Sequence, residues 1–242
     1  MVRINKFLAM CNVGSRRKVE QHILDGKIVV NDKIITELSF KVDSEKDIVK
    51  FDGKILKVES DNIYLMLNKP PNYLVTSNDE FGRKTVFDLV PDFNVHLFAI
   101  GRLDYQSEGL LLLTNDGDFA NQIIHPRYKL SKLYKVTVSG KIDDGQMGKL
   151  RTGIVIDGKK TKPAIVFKES SKNDVTVLKI TIHEGRKRQI RRMLKSVNSK
   201  VVKLKRLQIG SMKLGNLPIG MWRILKPNEI ASLKNIAKKG RK

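Results

Sequence analysis

The segment Gly101-Arg102-Leu103-Asp104-Tyr105-Gln106-Ser107-Glu108-Gly109-Leu110-Leu111-Leu112-Leu113-Thr114-Asn115-Asp116-Gly117 carries the strongest chemical signal in the chain. A polar loop bracketed by glycines feeds a leucine run too short for a helix and closed by Asn-Asp-Gly, which predicts a buried strand. Loops on rigid strands are where sites are built, because the strand fixes geometry while glycine lets backbone approach a ligand. Asp104 in such a loop offers a carboxylate able to act as a nucleophile or general base. The same residue also suits a plainer role, capping a turn and pairing with Arg102, and the loop alone does not choose between the two. Other chemistries lack their residues. His22, His96, His125 and His183 are scattered without ligand spacing, so no metal site is expected, and neither GxGxxG nor GxxxxGK[ST] occurs.

The elements that must hold this loop follow from periodicity. Residues 64–68 predict a strand running into Lys69-Pro70-Pro71, where paired prolines stop the ladder. Residues 118–124 predict a short helix stopped by His125-Pro126, and residues 133–139 and 175–183 alternate as strands. Over residues 188–197 a helix places Ile190, Met193, Leu194 and Val197 on one face and turns Arg188, Arg191, Arg192 and Lys195 outward. Upstream, Ile4, Phe7, Leu8 and Cys11 at i, i+3, i+4, i+7 predict one helix, and Val19 and Ile23 the inner face of a second. Strands flanking Asn31-Asp32 predict a hairpin, with a further strand at residues 48–51 and a polar linker at residues 58–62.

The 242 residues carry 47 Lys+Arg against 25 Asp+Glu, a formal net charge of +22. With 40% hydrophobic residues the chain can bury a core, and such an excess is best understood as complementing a polyanion, nucleic acid before membrane. The excess is local. Residues 1–60 hold 12 basic and 9 acidic side chains, residues 61–171 hold 15 and 13, and residues 172–242 hold 20 and 3. Arg186 to Arg206 alone contains ten cations and no acid, which predicts a phosphate track rather than an ordinary solvated face. One cysteine, no apolar run near the roughly 18 residues of a membrane span and a charged N-terminal start point to a soluble, cytoplasmic protein.

GRLDYQSEGLLLLTNDG resembles the signature of the bacterial ribosomal-RNA pseudouridine synthases of the small-subunit and large-subunit stem-loop type. Leu67-Asn68-Lys69-Pro70-Pro71 is similar to the first motif of that family, Lys132-Leu133-Tyr134-Lys135-Val136 to its tyrosine motif, and residues 184–193 to its basic motif. Residues 1–60 resemble the S4-type RNA-binding module that precedes the catalytic domain in these enzymes. The resemblance implies isomerisation of a specific uridine to pseudouridine without a cofactor, with large-subunit RNA favoured as substrate.

It further implies that Asp104 is catalytic, that Tyr134 stacks on the target base, and that Arg191 pairs with Asp104. A guanidinium within a few ångströms holds a carboxylate ionised and can meet it bidentately. Leu204 matches the apolar residue packing on the other side of the base, and Arg186 a position near the aspartate. Arg102, Leu103, Gln189 and Lys69 are expected at the RNA or base, Lys203, Lys205 and Arg206 at phosphates, and Arg3, Lys6, Arg16, Arg17 and Lys18 on the RNA face of the first module. Where the family has glycine after Lys-Pro, this chain has Asn72, which also tolerates positive φ, so the turn can survive.

The expected fold is α+β, a small S4-like module (residues 1–60) followed by a catalytic domain (residues 61–236) on a mixed, mostly antiparallel sheet with flanking helices. A disordered basic tail is expected at residues 237–242. The partner is a structured ribosomal RNA stem-loop, and the protein is expected to work as a monomer, without membrane or small-molecule cofactor. A non-catalytic S4-type or ribosome-associated binder is the competing reading, and a tRNA-modifying relative a third. The set Asp104, Tyr134 and Arg191 argues against a pure binder, which has no need of it.

Overall fold

A computed structural model describes residues 1–58 and 61–240, so part of the expected linker lies outside the described residues. The chain forms two compact units, Met1–Ile63 with Asp92–Leu97, and Tyr64–Pro91 with Phe98–Lys242.

In the first unit a two-residue strand β1 (Val2–Arg3) leads into α1 (Ile4–Met10), which buries Ile4, Phe7 and Leu8 as the spacing requires. Helix α2 (Arg16–Leu24) starts where the Ser15 side chain accepts from the Lys18 amide and turns Val19 and Ile23 into the same core. Strands β2 (Ile28–Val30) and β3 (Lys33–Ile35) form the hairpin, with Asn31 and Asp32 at φ 48° and 64°, the left-handed pair that a two-residue loop of matching twist demands. Strand β4 (Lys41–Val42) pairs with β1, while β5 (Val49–Phe51) and β6 (Lys54–Ile55) complete a four-stranded sheet ordered β3-β2-β5-β6. Asn12 fastens Asp92–Leu97 to this unit, donating to the Asn94 carbonyl at 2.9 Å and accepting from the His96 amide at 2.7 Å.

The second unit is built on nine strands. In chain order they are β7 (Tyr64–Lys69), β8 (Phe98–Ala99), β9 (Glu108–Thr114), β10 (Lys132–Ser139), β13 (Ile165–Lys172), β14 (Val175–Ile182), β15 (Lys200–Ile209), β16 (Met212–Lys213) and β17 (Trp222–Ile224), with a separate hairpin of β11 (Val155–Ile156) and β12 (Lys159–Lys160). Their order is β13-β14-β10-β15-β9-β7-β17, and every pairing is antiparallel except β15 with β9. The fold is thus α+β on a mixed, mostly antiparallel sheet, as expected. Every residue of β9 is buried, because this leucine strand is covered on both faces.

The parallel seam is short: Lys205 pairs with Glu108 and Arg206 with Gly109. Gly109 has φ 105°, and a Cβ there would collide with the Arg206 backbone, so the close approach of the two strands needs glycine.

Helices α3 (Gly117–Ile124), α4 (Asp144–Thr152), α5 (Gln189–Lys195) and α6 (Pro227–Gly240) flank the sheet. Asp116 caps α3 by accepting from the amides of Asp118 and Phe119, and Asp143 with Gln146 forms a reciprocal capping box on α4. Two apolar clusters result. Val136, Leu178, Ile180, Met193 and Leu194 belong to one, under α5, and Met66, Leu112, Phe119 and Leu233 to the other, under α3 and α6.

Residues 237–240 correct the expectation of a disordered tail. They form the last turn of α6, where Leu233 and Ala237, four apart on one helical face, are fully buried. Arg241 and Lys242 lie outside the described residues.

Candidate active site

A cavity of about 310 Å³ opens in the second unit where the two apolar clusters meet beside the parallel seam. Its walls come from the Gly101–Ser107 loop, from β10 and β15, and from the turn between β14 and α5. A space of this size, apolar with a few convergent polar groups, suits a small ligand or a single extruded nucleoside.

The Asp104 loop is held from behind. Gly101 takes φ 74°, Leu103 is buried in the first apolar cluster, and the Ser107 amide donates to the Asp104 carbonyl at 2.9 Å, closing a tight turn. Beneath that turn lies Lys69, with 0% of its surface exposed. Its ammonium donates to the carbonyls of Pro70 (2.9 Å) and Ser107 (2.8 Å), with longer contacts to those of Tyr105 (3.3 Å) and Asp104 (3.4 Å). Burial brings Lys69 down to about 8, against the attraction of Asp104 and Glu108. Lys69 therefore departs from its expected place at the RNA. It is a positioning residue, sealed under the loop because β7 ends just where those carbonyls converge. Asn72 has φ 65°, as its substitution for glycine requires, and its amide donates to the Tyr105 carbonyl at 2.8 Å.

The Asp104 carboxylate is one-third exposed toward the cavity. Arg191 on α5 approaches it, with Nε 4.0 Å from Oδ2. Arg191 is thus not among the outward cations that the helical pattern alone assigns. Nor do the two groups meet bidentately. Nη1 of Arg191 bonds the Val201 carbonyl at 3.3 Å, while its Nε and Nη2 are enclosed without hydrogen-bond partners. Burial first and Arg188 second lower the Arg191 pKa, with Asp104 acting in opposition. A guanidinium starts so high that it stays cationic at neutral pH.

Tyr134 and Leu204 face the same side of the sheet. Val136 is the register partner of Leu204 and Tyr134 that of Arg206, so Tyr134 and Leu204 are diagonal neighbours. They are 8% and 6% exposed, belong to one apolar cluster, and line the cavity. Core packing and access to a ligand coexist at both positions.

Several expected RNA contacts have other partners. Arg206 leaves the phosphate track expected of it with Lys203 and Lys205, for it is 3% exposed and its Nε donates to the Leu110 carbonyl at 2.7 Å. Alternation along β15 separates them: Arg206 and Leu204 face the cavity, while Lys203 and Lys205 point to the other face, where Lys203 pairs with Glu108 at 3.1 Å. Gln189 is buried, accepting from the Arg186 amide (3.0 Å) and donating to Glu184 (2.7 Å), which braces the turn into α5. Arg186 reaches the cavity rim, but its guanidinium grips the carbonyls of Lys159 (2.8 Å) and Lys160 (2.7 Å). Arg192 is engaged by Asp157. Arg102, beside Asp104, is exposed at the cavity mouth.

In the first unit Arg3, Arg16, Arg17 and Lys18 are exposed around the starts of α1 and α2, with Lys6 half-buried. Lys132 also lines the cavity, a site residue that sequence reasoning missed. Its signal was its place two residues before Tyr134, on the same strand face. Among the described residues, no three His, Cys, Asp or Glu side chains gather as metal ligands do, and no helix is long and apolar enough to cross a membrane.

Comparison with known proteins adds independent findings. A family profile described as RNA pseudouridylate synthase matches residues 63–196, and an S4 domain profile matches residues 2–59. An uncharacterised RNA pseudouridine synthase of Aquifex aeolicus (strain VF5) is 45% identical, covering 96% of this chain and 93% of its own length. The ribosomal large subunit pseudouridine synthase B of Bacillus subtilis (strain 168) is 40% identical over 100% of this chain and 99% of its own. A crystal structure of a pseudouridylate synthase superposes with a TM-score of 0.69 at 30% identity, covering 96% of this chain and 100% of the other.

Proposed function

We propose, from the premise that this chain belongs to the RNA pseudouridylate synthase family and carries an S4 domain, that it isomerises one uridine of large-subunit ribosomal RNA. The single observation behind the chemistry is the Asp104 carboxylate, carried on a loop whose carbonyls Lys69 braces from below, approached by Arg191 and opening into a cavity whose wall carries Tyr134 and Leu204.

Pseudouridine forms when the uracil N1–C1′ bond is exchanged for a C5–C1′ bond, and the enzyme must first take the nucleotide out of its stack. That extrusion costs a few kcal/mol. An aromatic face returns about 1–3 kcal/mol, which is the part we assign to Tyr134, with Leu204 across the base from it. Arg102, exposed at the cavity mouth, meets the RNA there. Asp104 supplies the carboxylate for the bond exchange, and Arg191 sets its guanidinium beside that carboxylate with two donors left unsatisfied.

Residues 1–60 provide the grip on structured RNA, and residues 61–236 the reaction. Cations at the helix starts suit phosphates, since a helix N-terminus already favours anions. Replacing Arg16, Arg17 and Lys18 together by Ala weakens RNA binding and flattens its log-log salt dependence by about 0.7–0.9 for each phosphate no longer neutralised. Titrations at several salt concentrations check this, and an unaltered slope removes those residues from the RNA face. Lys205 and the exposed Lys203, which would exchange Glu108 for a phosphate, take the phosphate role on the outer face of β15. The protein acts in the cytoplasm, as a monomer, on a structured stem-loop of ribosomal RNA.

Mapping pseudouridines in all RNAs of cells with and without the gene tests the substrate assignment. One large-subunit position is expected to revert to uridine in the deletion. Loss confined to small-subunit RNA or tRNA would overturn it.

A further inference from the structure

Two cations of the cavity serve neither the Asp104 loop nor the stacking of the base. Lys132 lies two residues before Tyr134 on β10, and Arg206 is the register partner of Tyr134 on β15. The pleat therefore sends all three side chains to one face, and all three line the cavity. Arg206 is fixed in plane by its Nε bond to the Leu110 carbonyl, yet its Nη2 is enclosed without a hydrogen-bond partner. Among the described residues the Lys132 ammonium has one long hydrogen bond, to the Leu130 carbonyl at 3.5 Å. Burial first and the neighbouring Arg206 second lower Lys132 to about 8, so the ammonium still carries charge near neutral pH.

Two like charges held together out of water are costly, and an enclosed charged donor left unpaired costs more than a neutral one. A complementary acceptor must arrive with the substrate. RNA brings two kinds of negative oxygen, those of phosphates and those of a base that has become an anion. The position favours the base, because these cations share a strand face with the residues that enclose it rather than standing on the exposed outer face of β15.

We propose, resting on the isomerase reading above, that Lys132 and Arg206 form a two-cation seat for the uracil oxygens O2 and O4 while the base is detached from its ribose. When N1–C1′ breaks, the bonding pair leaves with the base, and the negative charge spreads from N1 to O2 and O4. The ring then turns within the cavity. C5 supplies the pair for the new C5–C1′ bond and loses its proton, and N1 gains one, so atoms and charge balance with no co-reactant. Neither uridine nor pseudouridine carries that oxygen charge. The seat therefore binds the detached base more tightly than substrate or product, and such differential binding is what accelerates a reaction. Arg206 is a fixed point and Lys132, on its four-carbon stem, a movable one, a pairing that can follow the oxygens as the ring turns.

The test compares full-length wild type, Lys132→Met and Lys132→Arg on the ribosomal RNA segment containing the mapped uridine. Lys132 carries the test because Arg206 also braces β15 against β9. For Lys132→Met, kcat is expected to fall about 10²–10³-fold with KM little changed, and Lys132→Arg to restore most of the loss. Placing 4-thiouridine or 2-thiouridine at the target narrows the rate ratio between wild type and Lys132→Met, because sulfur is a weaker hydrogen-bond acceptor than the oxygen it replaces. A higher KM with kcat kept and a salt slope reduced by about 0.7–0.9 would assign the pair to a phosphate and overturn the proposal. Unchanged kinetics would overturn it too. Product from wild type and none from Asp104→Ala on the same RNA test the isomerase reading separately, so a failure of either idea is recognisable.

Discussion

Asp104→Ala binds target RNA with nearly wild-type affinity and makes no pseudouridine, a fall in turnover on the order of 10⁴-fold or more. The separation follows from where the carboxylate sits. Its backbone is held by Ser107 and Lys69, and Leu103 anchors the loop in the core, so removing the side chain beyond Cβ leaves the loop's supports in place. Phosphate contacts, the main source of affinity for RNA, do not involve a carboxylate. Asp104→Asn is expected to match the alanine variant in product and in affinity, since the amide keeps the shape and loses the charge. Pseudouridine assays paired with filter binding check both variants. Product from either at a tenth of the normal rate would remove Asp104 from the chemistry.

Lys69→Met damages the same site from below. Methionine nearly matches lysine in length but donates nothing, so the carbonyls of Pro70 and Ser107 lose their partner, each at about 1–3 kcal/mol. Relief of the buried charge offsets part of that. A net loss of about 1–2 kcal/mol lowers the melting temperature by a few degrees in a chain of this size. Activity falls further, about 10²-fold, because a displacement near 1 Å of a reacting group has that effect.

The pH dependence supplies a second check. Lysine's ordinary value is 10.5 and Lys69 lies near 8, so the unfolded chain holds this proton across a window in which the folded protein has released it. Between about pH 8 and 10.5 the contribution of Lys69 to stability therefore rises with pH, and it is lost as pH falls through 8. Activity moves the other way, because a neutral amine has one hydrogen fewer for the carbonyls it spans. Melting curves and initial rates through this window are expected to show opposite slopes that the Met variant lacks.

Much of this was legible in the sequence because it is local. The leucine run of β9, the i, i+4 faces of α1 and the Asn31-Asp32 hairpin are each decided within a few residues. Motif resemblance singled out Asp104, Tyr134 and Leu204, which line one cavity, and Arg191, which approaches Asp104. Lys69 was not, because its four carbonyls include three that lie more than 30 residues downstream, and no local pattern marks a lysine that a distant loop will cover. Arg191 escaped the helical reading because α5 is barely two turns long. The flank of its apolar stripe meets the Asp104 loop instead of water. Arg206 could have been separated from Lys203 and Lys205 by period-2 alternation. What alternation could not show is that β15 is an interior strand, paired on one side across a sequence distance of nearly a hundred residues.

The order of strands also sets a timetable. Strand β17 closes the sheet by pairing Trp222 with Leu67 and Ile224 with Leu65, so the two ends of the second unit meet only after some 155 residues of chain are in hand. The first unit, by contrast, is made of residues that end at Leu97. During synthesis from the N-terminus, the S4 portion can therefore fold while the catalytic sheet is still missing its edge, β9 being flanked by β7 on one side and awaiting β15 on the other. A nascent chain gains its capacity to hold RNA before it has anywhere to put a uridine.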